Sequence, residues 1–339
     1  MLAVGTVTGC AAGAEENTSS ADAVQATDPA QIESLAKTEG EVSWLAAGTQ
    51  ATSDAVAAAF EKRYGISVKV ARYSSADMAQ RIESDVRGLG RIDADVTTQT
   101  DNALALSLRD GGYIERLSAK RFPGFPEKMM YGEIGPLVQF AVPVVGYNTR
   151  SLDGFVPDSW DDLLDPRLKG KLMIADPRSA ATWGQIWHAI LKTPALGEKY
   201  VKALVAQDFQ PVASSLVGAE QLAAGQGSVL VASTPSVFNA QIAKGAPIAF
   251  FSPTNPAPVA YTSVSIVKGA AHPNAAQLFA RWLAGEEGSQ VLNTAEGTAS
   301  PLGELKGTFP SPPGIATTPP DPGAVRASGE RAAELLGFR

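Results

Sequence analysis

Thiol and imidazole side chains are nearly absent from this chain of 339 residues, which holds one cysteine and two histidines. A lone Cys10 excludes an internal disulfide and a cysteine metal cage. His188 sits among Ile186, Trp187 and Ile190, and His272 precedes a proline at a helix start, so neither reads as a general base. Basic runs are missing as well: Lys and Arg are dispersed, the formal net charge is -7 and the pI is near 5.0. That balance excludes a nucleic-acid partner, because phosphate backbones are bound by clustered cations that displace counterions. No segment reaches the roughly 20 apolar residues of a membrane-spanning helix. Nor is there a Gly-x-Ser-x-Gly elbow, a Walker loop or a dinucleotide glycine fingerprint. The carboxylate pair Asp161-Asp162 follows Ser159 and reads as the first turn of a capped helix. A hydrolytic enzyme outside the cytoplasm therefore stands only as the alternative from a different class.

What is present is a large apolar fraction, 45%, with only 19% charged residues. A chain of this size and composition buries a substantial core and divides into two domains. At its start, small and apolar residues lead to Val7-Thr8-Gly9-Cys10, which resembles the lipobox cleaved ahead of a lipid-modified cysteine. Residues 1–10 are read as the end of a lipoprotein signal that lacks its charged start, with Cys10 as the lipid attachment point. Residues 11–30 are small and polar, as a flexible spacer would be, and the folded body begins near Pro29.

From residue 41 onward, strand and helix patterns alternate. Residues 41–47 form a strand, Ser53 caps a helix carrying Val56, Phe60 and Tyr64 on one face, and Gly65 ends it. Ile66, Val68 and Val70 alternate as a second strand, which makes a right-handed parallel βαβ unit. A helix over 76–86 aligns Met78, Ile82 and Val86, and 94–98 is a third strand. Further on, strands are predicted at 171–176, 209–213, 228–232 and 248–251, with helices near 182–192, 195–206, 217–224 and 235–244 between them. A strand at 262–268, helices at 274–284 and 286–294, a proline-rich strap at 309–322 and a helix at 324–336 complete the pattern. Such alternation predicts open sheets covered by helices, with ligands bound where strands end and helices begin.

Several ordered stretches resemble one known family. GYNTR at 146–150, SWDDLLDPRLKGKL at 159–172, AFEKRYGISVKV at 59–70, KGAPIAFFSP at 244–253 and VSIVKGAAHPNAAQLFARWLAGEEGSQVL at 264–292 are similar to the extracellular solute-binding proteins of ABC importers, in their iron(III)-type branch. The resemblance implies an α/β periplasmic-binding-protein type II clamp, with two lobes, each an open, mostly parallel sheet flanked by helices. Two hinge crossings are expected, near Val142–Tyr147 and Val259–Thr262, dividing the chain into lobe 1 (31–143 plus 262–339) and lobe 2 (144–261). It further implies no catalysis and no cofactor. A monomer outside the cytoplasm, anchored to the membrane by lipid, would capture a small polar solute and deliver it to permease subunits.

The strand-end loops supply the candidate ligand-binding residues: Gly48, Thr49, Ser74, Ser75, Thr98, Gln99, Ser179, Thr182, Trp183, Ser214, Ser215 and Thr234, with Tyr147 and Tyr261 as nearby aromatics. Asp101 and Asp176 could pair with an amine, and Arg178 could clamp an acid. Family members that hold ferric ion use adjacent tyrosines at a position that here reads Ser236-Val237. A hard cation favours anionic oxygen donors, so no metal ligands are assigned. A small polar organic molecule (phosphonate, phosphate ester, carboxylate or amine) is preferred over ferric ion, which stays as the alternative within the family.

Overall fold

The computed structural model describes residues 28–338 apart from Ala180, Pro312, Gly314, Ala316 and Thr317, so Cys10, its lipobox and the spacer lie outside the described residues. The first element is a helix that the sequence pattern did not reveal, α1 (Pro29–Glu39). Asp28 caps it by accepting from the Gln31 amide, and Gly40 ends it in a left-handed conformation. The βαβ unit follows as β1 (Glu41–Ala46), α2 (Gln50–Tyr64) and β2 (Ser67–Arg72), then α3 (Ser75–Leu89) and β3 (Val96–Gln99). Thr49, not Ser53, caps α2: its backbone is extended and its hydroxyl accepts from the Thr52 amide. Ser53 lies one turn in, donating to the Thr49 carbonyl.

The stretch from 102 to 141, unassigned by periodicity, supplies α4 (Asn102–Asp110), β4 (Met130–Tyr131) and β5 (Gly135–Ala141). The chain then passes to a second body: β6 (Val144–Asn148), β7 (Leu172–Ala175), α5 (Ala181–Lys192), α6 (Gly197–Ala206), β8 (Gln210–Val212), α7 (Ser215–Ala223), β9 (Val229–Ser233), α8 (Pro235–Ile242) and β10 (Ile248–Phe251). It returns through β11 (Ala260–Ile266), α9 (Pro273–Ala284) and α10 (Glu286–Glu296), and ends with α11 (Pro322–Leu336).

Two sheets result, ordered β2-β1-β3-β11-β5-β4 and β10-β6-β9-β7-β8. They are mixed rather than mostly parallel. β1 runs parallel to β2 and β3, and β7 to β8 and β9, whereas every pairing of β4, β5, β6, β10 and β11 is antiparallel. The reason is connectivity: β6 and β11, each the first strand after a crossing, enter their sheets from the end at which the parallel strands finish and so run against them. The first crossing is shorter than the sequence suggests, and the second is longer and lies earlier in the chain. The first is Val142-Pro143, and the second runs from Ser252 to Val259.

In the first lobe the sheet is covered on one side by α1, α2, α9 and α10. Trp44 and Phe60 each meet Phe279, with ring centroids 5.2 and 5.0 Å apart, and Phe60 meets Trp282 at 5.4 Å. On the other side Met78, Ile82, Phe140 and Tyr261 form a second core. Fully buried Asp95 ties the layers together. Its carboxylate accepts from the Ser43 amide and hydroxyl, both at 2.8 Å, and from His272 Nδ1 at 2.9 Å. Burial raises its pKa, yet these donors outweigh burial and hold it below the usual carboxylate range. His272 is thus a structural partner.

In the second lobe the family-like motifs are scaffold. Gly146 faces the ring of Phe238 on α8, where an added Cβ would lie 2.2 Å from the ring. Asn148 donates to the Leu222 carbonyl at 2.8 Å and pins α7. Trp160 Nε1 donates to the Pro256 carbonyl at 2.9 Å, fastening the second crossing, and the Tyr200 hydroxyl donates back to the Trp160 carbonyl at 2.6 Å. Asp162 accepts from the Asp158 and Ser159 amides and the Ser159 hydroxyl, which lowers its pKa. The carboxylate pair is therefore a local cap on a 3-10 turn.

One placement differs from the sequence reading. The last helix was grouped with lobe 1, but α11 packs on α5 and α6, and Ala332 and Leu336 belong to the second lobe's core. Small residues permit the contact: a Cβ added at Gly329 would lie 3.5 Å from Gly184 Cα. His188 fastens the pair, its Nδ1 3.0 Å from the Ser328 hydroxyl. The chain therefore makes a third passage between lobes, through the proline-rich strap whose Phe309 packs against both.

Two outcomes follow from these contacts. Gly146→Ala overpacks β6 against α8 and should cost about 1–3 kcal/mol in a urea melt; an unchanged midpoint would show that Phe238 yields freely. Burial lowers the pKa of His188 below its ordinary 6.5, so the unfolded chain takes up a proton that the folded one refuses. Stability should therefore fall as pH drops through 6.5. The wild-type Tm should decline more steeply between neutral and mildly acidic pH than that of His188→Gln, and superimposable profiles would reject the assignment.

Candidate functional site

The loops after β3 and β7 come from different lobes and face each other. Between them lies a cavity of about 420 Å³, lined by Thr100, Asp101 and Asn102 from the first lobe and by Pro177, Arg178 and Gln185 from the second. α11 forms the third wall with Val325, Arg326, Gly329 and Glu330. Elsewhere the lobes meet at Gly297, at the end of α10, where an added Cβ would lie 3.9 Å from the Ser236 amide nitrogen in α8.

Two of the expected charged recognition groups are already occupied. Arg178 grips Asp176 with Nε 3.0 Å from Oδ1 and Nη2 2.7 Å from Oδ2. That hydrogen-bonded pairing lowers the pKa of Asp176 and raises that of Arg178. The pair is internally neutral, so neither residue is a ready-made clamp for an acid or an amine. Asp101 caps α4, with Oδ1 accepting from the Ala103 amide at 2.9 Å and the Leu104 amide at 3.2 Å. Glu296 approaches the first strand-end loop, where Oε2 accepts from the Thr49 amide at 3.2 Å, and Arg72 Nε donates to the Gly48 carbonyl at 2.7 Å.

The predicted ligand residues divide by what their side chains do. Thr49, Ser74 and Ser214 cap α2, α3 and α7 through their hydroxyls, and Ser75 and Ser215 are the first residues of α3 and α7. Thr98 is buried and accepts from Trp44 Nε1 and the Ala47 amide; Gln99 is buried against Met78 and Thr97. Ser179 is exposed and donates to the Asp176 carbonyl at 2.7 Å. Thr182 and Trp183 are half-buried at the start of α5, with Trp183 packed on the second lobe's core. Thr234 precedes α8 without capping it, and its hydroxyl lies 3.0 Å from that of Ser236.

Tyr147 lies away from the cleft, and Tyr261, beside the second crossing, is buried. Tyr147 pairs with Val229 at the start of β9, while Val144 pairs with Ser233 at its end. Tyr147 therefore points into the core at the far end of its strand from the cleft. Tyr261 stacks edge-on against Phe140 at 5.6 Å, and burial pushes its pKa up to about 12. The cavity uses the neighbours of predicted residues instead: Thr100 to Asn102 follow Gln99, and Gly184 and Gln185 follow Trp183. Gln185 was hidden by its place inside an apolar helix, and Arg326 and Glu330 by a helix whose docking no local pattern encodes.

Two mixed sheets flanked by helices, joined by short crossings and closing on a shared cavity, define a two-lobed α/β clamp. Residues 43–295 match the family model described as bacterial extracellular solute-binding protein, and the chain belongs to that family. An uncharacterized protein from Haemophilus influenzae is 26% identical over 283 residues, covering 77% of each chain. Iron-bound HitA from Pseudomonas aeruginosa superposes with a TM-score of 0.65 at 18% identity, covering 88% of this chain and 98% of HitA. The periplasmic binding protein AfuA from Actinobacillus pleuropneumoniae, with fructose-6-phosphate bound, gives 0.62 at 20% identity, covering 88% and 99%. No helix among the described residues is long and apolar enough to cross a membrane.

The hydroxyls at these helix starts separate into caps and groups without a capping role. Ser214→Ala should lower stability by about 1 kcal/mol, since a cap is lost, while Thr234→Ala should cost under about 0.5 kcal/mol. Chemical denaturation of the two variants distinguishes them; equal losses would place Thr234 among the structural caps.

Proposed function

We propose that this protein is the substrate-binding component of an ABC import system. It captures a small polar organic solute between its lobes outside the cytoplasm and presents it to a membrane permease, tethered through lipid on Cys10. The observation that carries this reading is the cavity whose walls come from both lobes. A solute held there gains contacts on two bodies joined by short crossings, so binding favours the closed arrangement, and closure is a signal that a permease can read. Family membership supports the same role.

Ferric ion is the second reading, raised by the iron in HitA. The chemistry at the start of α8 favours an organic solute. Thr234 and Ser236 offer hydroxyls there, next to Val237, where a ferric site wants anionic oxygens. The sugar phosphate in AfuA shows that this fold also serves organic cargo.

A thermal-shift screen over phosphonates, sugar phosphates, amino acids, polyamines, thiamine and ferric citrate tests both readings. A cognate solute should stabilise saturably, by about 2.7 kcal/mol at a hundredfold excess over Kd, and be recovered unchanged. Turnover of the stabilising compound would sink the binding role, and a visible charge-transfer colour with ferric citrate would reinstate iron.

A further inference from the structure

Phe309 belongs by its backbone to one lobe and by its ring to both. Its amide donates to the Thr298 carbonyl at 2.9 Å. Thr298 is itself fixed inside the first lobe, where its hydroxyl donates to Asn293 Oδ1 at 2.8 Å and accepts from Gln139 Nε2 at 3.0 Å. The residues just before Phe309 are held to the same lobe, since Gln290 Nε2 on α10 donates to the Lys306 carbonyl at 2.9 Å. The half-buried ring packs against the first lobe's core that contains Phe140, Val142 and Tyr261, and against the second lobe's core that contains Val144, Met173 and Phe238. Val142 and Val144, on either side of Pro143 in the first crossing, belong one to each core. Among the described residues, no other partly buried hydrophobic side chain packs against a core of each lobe.

That double attachment has a mechanical consequence. Rotation of the second lobe about the crossings carries Val144, Met173 and Phe238 away from a ring whose backbone stays with the first lobe. The backbone has little freedom to follow: its amide is bonded to Thr298, and Pro310 comes directly after it and disfavours helical backbone at the preceding residue. Rotation therefore strips the ring of its second-lobe packing and exposes apolar surface, which the hydrophobic effect opposes in proportion to the area uncovered. Packed cores exchange between discrete arrangements rather than deforming continuously. The ring thus has two states, seated in the second lobe's core or withdrawn from it.

We propose that Phe309 is an apolar latch: a ring carried on first-lobe backbone and seated in the second lobe's core, which holds the two lobes in the arrangement described above without any bound solute. The latch stands on the two-lobed architecture alone, so its failure leaves the solute-capture reading untouched. Its effect is a shift in population, because losing the ring's second-lobe contacts favours arrangements in which the lobes stand further apart.

The test is the distance between lobes in the full, ligand-free chain, read by double electron–electron resonance. Cys10→Ser removes the one thiol of the chain, and Glu83→Cys on α3 with Lys199→Cys on α6 place spin labels at exposed sites, one on each lobe. With Phe309 intact, the distances should form one narrow population. Phe309→Ala should raise the population at longer distances about fivefold or more. Phe309→Leu should keep the intact distribution, and Phe309→Val should fall between the two. A thermal melt checks that each variant is folded; where Phe309→Ala is not, the order of Val and Leu decides. Superimposable distributions for Phe309 and its folded Ala or Val variant would overturn the latch, as would an intact chain already spread over long distances.

Discussion

The antiparallel pairing of β5 with β11 is the constraint on which the rest of the molecule depends. Ala141 faces Ala260 and Phe140 faces Tyr261, so the strand that leaves the first lobe and the strand that returns to it are neighbours at the lobe boundary. A buried network welds them: Thr262 Oγ1 donates to Gln139 Oε1 at 2.8 Å, and Gln139 Nε2 donates to Thr298 Oγ1 at 3.0 Å. The third passage starts from the same place, since Ala299 and Phe140 exchange backbone hydrogen bonds at 2.9 Å. Three connections rooted side by side are the arrangement from which hinge rotation of one lobe against the other arises in two-lobed proteins. They also explain the mixed sheets, because β6 and β11 begin at the seam and so oppose the parallel strands finishing there, while β5 ends there and runs with them.

The alternation of strand and helix was legible in the sequence, because amphipathic faces such as Val56-Phe60 and glycine stops such as Gly65 are local signals. Register is not local. Tyr147 reads from sequence as adjacent to the hinge, yet a strand carries its residues away from the seam at about 3.3 Å each, which sends Tyr147 into the core. β5 escaped notice because GPLVQFA is a central strand buried on both faces and shows no alternation. Hydroxyls at helix starts were found correctly as a class, but whether each caps its helix or faces the cleft depends on backbone geometry that composition does not record.

The family-like stretch between residues 141 and 184 illustrates how a recognisable motif can be mainly mechanical. Gly146 makes room for Phe238, Asn148 holds α7, and Trp160 holds the second crossing through Pro256. These contacts hold the last turn of α7 and the middle of α8 against the sheet. These residues specify the frame of the lobe rather than the lining of the cavity. A ligand class read from the motif alone would therefore follow the frame and miss the site.

The placement of α11 carries this argument to its end. Its docking depends on Gly184 meeting Gly329 and on one histidine contact, none of which stands out in a sequence of common small residues. Yet without α11 the cavity would have two walls instead of three and would lose Arg326 and Glu330. A two-walled cleft discriminates by what its lobes present on closing. A third wall fixed to the second lobe is the kind of preorganisation that lowers the ordering cost of any ligand bound beside it. Asp101 and Asn102 of the first lobe complete a surface that α5 and α11 shape.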